Sequence, residues 1–282
     1  MTVLVLGAAG QLGQAMVARL ATRHAVTAWT RDDIDLRRHE ELAERIRELA
    51  PAVIVNCSGY NNVDQAEQDQ ETALDVNGFV VRTLAQAADA VDALLVHYSS
   101  DFVFSGTATV PYTEHDRPEP QSVYGQSKLI GEWMAAGAAQ HYVIRVESLF
   151  GGPHRRSSID RIAEAVRSAE AAPVFVDRVV SPSFVPDVAD ASMHLISTRP
   201  ASGIYHCVNS GYATWFEVGR EIAKQLGKTE AALKPVHVSD VVLPASRPRF
   251  AALDNSKLIA AGFVMPIWQD AIERYLSMSL VL

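Results

Sequence analysis

Short apolar runs alternate with longer amphipathic stretches along the first half of the chain. Residues 2–6, Thr-Val-Leu-Val-Leu, are nearly continuous in apolar side chains, which suits a strand buried on both faces. After Gly7-Ala8-Ala9-Gly10-Gln11-Leu12-Gly13, apolar residues at Leu12, Met16, Val17 and Leu20 recur with helical period. The same pattern predicts further buried strands over 25–29, 52–56 and 93–98, with helices over 39–49 and roughly 66–91 between them. The longest of these helices carries a broad apolar face of Ala73, Leu74, Val76, Val80, Val81, Leu84 and Ala88. Asn77 lies inside it and is expected to face water, the alternative being an amide that braces backbone beside a site.

This alternation predicts an α/β fold of the Rossmann type, a doubly wound parallel sheet occupying residues 1–150. Past Phe150 the texture changes. Gly151-Gly152-Pro153-His154-Arg155-Arg156 breaks the pattern, and the next elements are irregularly spaced: a helix over 158–170, a strand over 173–176, a proline-punctuated stretch over 181–187 and a helix over 188–198. A strand over 204–208, a helix over 214–226 opened by Thr214 and a closing helix over 267–276 complete the chain. Residues 151–282 are therefore expected to form a smaller α/β region that mainly binds substrate, with some segments returning to the first domain.

Composition narrows the class. In 282 residues, 48% are hydrophobic and 21% charged, as in ordinary globular proteins. The 25 Lys and Arg against 33 Asp and Glu give a net charge of −8 with no basic run, which argues against nucleic acid as a partner. No apolar stretch approaches the roughly 18 uncharged residues of a membrane span, and no basic segment precedes the N-terminal apolar run, so a cytoplasmic protein is expected. Cys57 and Cys207 read as reduced core thiols, and neither they nor the nine scattered histidines have metal-ligand spacing, so no metal site is expected.

The chemistry enters through the loops at strand ends. Gly7, Gly10 and Gly13 lie between a strand and a helix, where small residues let backbone approach a pyrophosphate seated on free helix-terminal N–H groups. Arg31, at the end of the second strand, stands where an NAD-specific site would carry an acid, and so points to NADPH. Asp32, Asp33 and Asp35 come directly after it and leave NADH as the alternative. Farther along, Tyr124-Gly125-Gln126-Ser127-Lys128 puts a phenol and an ammonium four residues apart on one helix face. An ammonium nearby would hold the phenol below its ordinary value of about 10, and Tyr124 could then pass a proton to a carbonyl oxygen. Ser99 and Ser100 end the preceding strand, where either offers a hydrogen bond to the same oxygen or simply terminates the strand.

Together, the glycine turn, Ser100, Tyr124 and Lys128 resemble the short-chain dehydrogenase/reductase superfamily, and the length resembles its extended branch. The segments Val55-Asn56-Cys57-Ser58-Gly59-Tyr60, Val63-Asp64-Gln65-Ala66-Glu67, His97 to Gly106, Tyr124 to Glu132 and Leu253 to Leu258 are similar to the dTDP-4-dehydrorhamnose reductase family. That resemblance implies a reductase that uses NADPH to reduce the C4 ketone of a nucleotide-linked 6-deoxy-hexulose. It implies Ser100, Tyr124 and Lys128 as the catalytic set, the last two also touching the cofactor. It places the cofactor along Gln11, Leu12, Asp35, Leu36, Cys57, Ser58, Gly59 and Tyr60. The sugar falls against Asn61, Val63, Phe102 and Ser148; Asn61 stands where the family commonly has Thr, and Ser148 where it has a Trp. Arg247 either pairs with the nucleotide diphosphate or lies in water. Two other readings are carried: a nucleotide-sugar epimerase or dehydratase of the same superfamily, and a non-catalytic NADP-binding subunit resembling the regulatory subunit of methionine adenosyltransferase. A homo-oligomer is left open.

Overall fold

Six parallel strands form the centre of the protein, in the order β10-β5-β4-β3-β1-β2. The structure, a computed structural model, describes residues 1–278. The first five strands in chain order are β1 (Thr2–Leu6), β2 (Ala25–Trp29), β3 (Val53–Asn56), β4 (Leu94–Ser100) and β5 (His141–Val146). All residues of β3 and β4 are buried, as expected for strands covered on both faces. The helices α1 (Gln11–Leu20) and α2 (His39–Leu49) lie between the early strands. The chain moves outward from β1 to β2 and then returns to place β3 on the other side of β1. The carboxyl ends of β1 and β3 thus flank the reversal in strand order, where open α/β sheets bind ligands.

The long helix expected over 66–91 is interrupted. Its parts are α3 (Val63–Ala66), α4 (Gln70–Leu74), a π-helical turn over Asp75–Phe79, and α5 (Val80–Ala90). The π turn faces α6 (Val123–Ala135), which carries Tyr124 and Lys128. A Cβ on Gly78 would stand 2.9 Å from Ile130 Cγ2, and one on Gly131 would stand 2.2 Å from Asn77 O. Two glycines, one on each partner, thus let the two backbones meet closely. The consequence for Asn77 is a correction: it is 1% exposed and does not face water.

Beyond β5 come β6 (Leu149–Phe150), α7 (Ser158–Ser168), β7 (Ala172–Phe175), β8 (Val179–Val180), β9 (Ser183–Phe184) and α8 (Val185–Thr198). The next strand, β10 (Gly203–His206), joins the central sheet as the parallel neighbour of β5. It is succeeded by β11 (Ala213–Thr214), α9 (Trp215–Gln225), β12 (Leu233–Val236), α10 (Ser256–Ala260) and α11 (Trp268–Met278). Phe150, Ile162, Phe184, Trp215, Ile222 and Trp268 belong to a further apolar core, separate from the two that cover the central sheet. Its strands pair only in twos: β6 with β9, β7 with β12 and β8 with β11. Strands β6, β8 and β9 have two residues each, too short for a periodic signal in sequence. Helix α8 instead packs on α1, against the main sheet.

Candidate functional site

The glycine turn leads from β1 into α1. Gly7 has φ +69°, and a Cβ there would stand 2.7 Å from the Ser58 nitrogen, so the turn lies directly against the segment leaving β3. A Cβ on Gly13 would meet Gly7 O at 2.2 Å. Gly10 is the N-cap of α1; no side chain caps this helix end and its first turn has no acidic residue. The first amides of α1, including those of Gln11 and Leu12, thus have no intrahelical acceptor and suit a phosphate. The Gln11 side chain turns away to donate to Gly151 O at 2.5 Å.

At the end of β2, Arg31 is exposed. The acids beyond it are partly occupied. Asp33 accepts from the Thr30 amide and hydroxyl at 2.7 and 2.8 Å, and Asp35 accepts from Arg37 Nε and Nη2 at 3.1 and 2.9 Å. Leu36 is half-buried next to them. Leaving β3, the Cys57 amide donates to Leu6 O at 3.0 Å, and the Ser58 amide donates to Asn56 Oδ1 at 3.1 Å. Burial pushes the Cys57 thiol up, so it is not a thiolate at neutral pH. Gly59 comes next, where a Cβ would stand 3.2 Å from both Asn61 Oδ1 and Asn77 Oδ1, and Tyr60 is half-buried.

Tyr124 lies in the first turn of α6, which Ser122 caps by accepting from the Gly125 amide at 3.1 Å. Its ring meets Phe102 edge-on at 5.3 Å. Ser100, at the end of β4, lies close enough to the phenol to favour its ionised form, and its Oγ donates to Asp101 Oδ1 at 2.8 Å. The expected lowering of Tyr124 does not hold for the protein's own groups. Burial and the Asp101 charge push the phenol up, with Ser100 opposing them. Lys128 is buried and donates through Nζ to Tyr98 O at 2.6 Å. Burial lowers its ammonium to about 8, against the opposing pull of Glu132.

Two groups around this helix act through distant partners: Asn77 takes the bracing role that was the alternative to facing water, and Glu132 was not singled out in the sequence. Asn77 accepts from the Tyr60 amide at 2.9 Å, donates to Tyr60 O at 3.1 Å and donates to Ser127 Oγ at 2.9 Å. Ser127 in turn donates to Tyr124 O at 2.7 Å. One amide thus fixes the segment leaving β3 to the helix that carries the phenol. On the next turn, Glu132 accepts from Ser99 Oγ at 2.6 Å and from Arg145 Nε and Nη2 at 2.8 and 2.7 Å. Glu132 is 2% exposed and Arg145 1%. An arginine inside the apolar β5 run was the available signal for a buried partner.

The expected sugar contacts divide. Val63 begins α3, and Asn61 is exposed ahead of it. Phe102 joins Tyr124 to two arginines: the guanidinium carbons of Arg178 and Arg247 lie 5.9 and 5.8 Å from its ring centre. Arg247 does not lie in water; it pairs with Asp64 at 2.8 Å, and Asp64 also accepts from the Ala245 amide at 3.1 Å. Ser148 takes a left-handed conformation, φ +45°, just beyond β5. Among the described residues no group of three or more His, Cys, Asp or Glu is placed to hold a metal, and no helix is long and apolar enough to cross a membrane.

A hydroxyl, a phenol and a buried lysine beside a glycine turn can polarise and protonate a carbonyl next to a bound dinucleotide. The chain is similar in sequence and shape to known proteins. The chain is 36% identical over 269 residues to a dTDP-4-dehydrorhamnose reductase of Streptomyces griseus, covering 92% of this chain and 87% of that one. It is 32% identical over 288 residues to the reductase of the same name from Burkholderia thailandensis, covering 96% and 97%. A crystal structure of dTDP-4-dehydrorhamnose reductase from Bacillus anthracis, in complex with NADP, superimposes with a TM-score of 0.92 at 28% identity, covering 98% and 99%. A family model described as the RmlD substrate binding domain matches residues 1–280. The chain therefore belongs to the RmlD substrate binding domain family.

Proposed function

We propose that this protein is an NADPH-dependent reductase of the dTDP-4-dehydrorhamnose reductase type, reducing the C4 ketone of a nucleotide-linked 6-deoxy-hexulose. One observation carries the reading: the continuous path from Gly7 and Ser58 through Tyr60, Asn77 and Ser127 to Tyr124, which joins a dinucleotide turn to a proton donor. When bound, NADPH supplies the hydride. The uncapped start of α1 and the close-packed glycine turn fit its pyrophosphate, and exposed Arg31 fits the extra phosphate while Asp33 and Asp35 are engaged elsewhere.

The protein's own groups have distinct tasks. Tyr124, held protonated by burial, donates its proton to the oxygen that becomes an alkoxide. Ser100 hydrogen-bonds the same oxygen, and Lys128, anchored on Tyr98 O one helical turn from the phenol, would hold the cofactor ribose. Residues 1–150 carry the dinucleotide and residues 151–282 mainly the nucleotide sugar, with Asn61, Val63, Phe102, Ser148 and Arg247 lining its site. The two free cysteines, Cys57 and Cys207, suit the reducing cytoplasm, where we place the reaction.

The test is loss of NADPH absorbance with dTDP-4-keto-6-deoxy-L-mannose, run beside Tyr124→Phe. Wild-type protein should oxidise NADPH, and the variant should turn over roughly 10² to 10⁴-fold more slowly with unchanged cofactor affinity. A variant as fast as wild type would sink the assignment of the phenol. Tight cofactor binding without net oxidation of NADPH would favour a closed-cycle epimerase or dehydratase, or a regulatory subunit.

A further inference from the structure

Two buried carboxylates flank the candidate hydroxyls with part of their hydrogen-bonding capacity unused. Ser100 on β4 is the register partner of Val146 on β5, and these two residues end their strands, so Asp101 and Glu147 are the first residues past two neighbouring strand ends. Asp101 is 2% exposed and Glu147 1%. One oxygen of each is engaged: Asp101 Oδ1 by the Ser100 hydroxyl, and Glu147 Oε2 by the Ser181 amide at 2.6 Å. The other two, Asp101 Oδ2 and Glu147 Oε1, are buried without a hydrogen-bond partner. Native proteins keep few such atoms, and those they keep demand a reason. Arg178 is the cation near both carboxylates; its Nε donates to Pro248 O at 3.3 Å, and it stands over Phe102, the ring that touches Tyr124.

We propose that Glu147, with Asp101 beside it, selects the sugar, its free Oε1 bonding a hydroxyl on the ring carbon next to the reacting ketone. The proposal rests on the reductase reading above. Ser100 and Tyr124 hold the ketone oxygen, so a group reached from the adjoining strand end meets the substituent on the adjacent carbon. A hydroxyl suits the position because it both donates and accepts. It therefore serves the carboxyl group whether charged or protonated. Burial together with the Asp101 charge pushes Glu147 well above the usual carboxylate range, against the Ser181 amide, Arg178 and the Ser148 hydroxyl. A bare methylene at the same carbon would leave Oε1 unsatisfied and dehydrated.

The experiment compares dTDP-4-keto-6-deoxy-L-mannose with its counterpart lacking the hydroxyl beside the ketone, using wild type, Glu147→Ala and Glu147→Gln. Wild type should favour the hydroxylated sugar by about 10²-fold or more in kcat/KM. Glu147→Ala should lose rate on that sugar alone, reducing the preference to below about fivefold, while Glu147→Gln, whose amide still donates and accepts, retains most of it. NADPH affinity, measured by fluorescence titration, should be the same in all three. A wild-type preference near one overturns the proposal without recourse to any variant, so its fate does not depend on Glu147→Ala folding. A preference unchanged in a folded Glu147→Ala overturns it as well. Absence of Tyr124-dependent NADPH oxidation with both sugars would overturn the reductase reading, and this inference with it.

Discussion

Asn77 Nδ2 donates to Ser127 Oγ across 2.9 Å, and this bond joins two parts of the chain 50 residues apart. The same side chain satisfies both backbone groups of Tyr60, so no smaller or purely apolar residue can replace it. Asn77→Ala should lower stability by about 1–3 kcal/mol, the usual cost of stranding buried partners. It should also weaken NADPH binding, because Tyr60 would no longer be tied to α6. Urea unfolding and a fluorescence titration of NADPH measure the two effects; a fully stable variant with wild-type affinity would contradict this role.

Glu132 and Arg145 form a bidentate pair in the core beneath Lys128. Removing the charge of one partner strands the other, so Glu132→Gln should cost about 3–5 kcal/mol. Glu132 also raises Lys128 against the effect of burial. Without it the ammonium should titrate below its present value of about 8, and the alkaline limb of the kcat profile should move to lower pH. An unshifted limb in a folded variant would show that Lys128 does not set it.

Burial raises Asp101 from 3.8 to about 6, with Arg178 and the Ser100 hydroxyl opposing the rise. The folded state thus binds this proton more tightly than the unfolded state. The group is neutral in both states below its unfolded value, and its ionisation costs stability as pH rises through about 4 to 6. Asp101→Asn should therefore be more stable than wild type at neutral pH, with the difference vanishing toward about pH 4. Thermal melts across that range, buffered at constant ionic strength, test the sign. A gain that grew toward low pH would refute it.

Gly13 and Gly227 separate close packing from backbone freedom. A Cβ at Gly13 would press within 2.2 Å of Gly7 O, whereas Gly227, φ +64°, has nothing within 4 Å of its Cβ position. Gly227→Ala should cost only the left-handed penalty, about 1–2 kcal/mol, and leave cofactor affinity alone. Gly13→Ala should distort the turn and weaken NADPH binding by more than about tenfold, or 1.4 kcal/mol. Equal affinities in the two variants would remove the turn from the cofactor site.

The strands β1, β3 and most of β4 are legible in the sequence because they are nearly continuous apolar runs, whereas β5, which carries Arg145 in its interior, is not among the strands that the pattern predicts. The turn at Gly7 and the Tyr124–Lys128 pair were visible for the same local reason. What could not be read depends on distant partners. Asn77 looks like any polar residue in a helix until Tyr60, 17 residues before it, and Ser127 fold onto it. Arg247 meets Asp64 across 183 residues. Tyr124 was expected to lie low from its spacing to Lys128, but spacing carries no information on burial, and burial with Asp101 reverses the sign.

The strand β10 lies at one edge of the central sheet, yet the chain reaches it only after α7, four short strands and α8 have been laid down. On the ribosome, therefore, β5 emerges with an unsatisfied edge and must wait for Gly203–His206 while residues 147–202 are synthesised. Any nascent fragment that stops short of β10 leaves the β5 edge unpaired and open to strand addition from another chain.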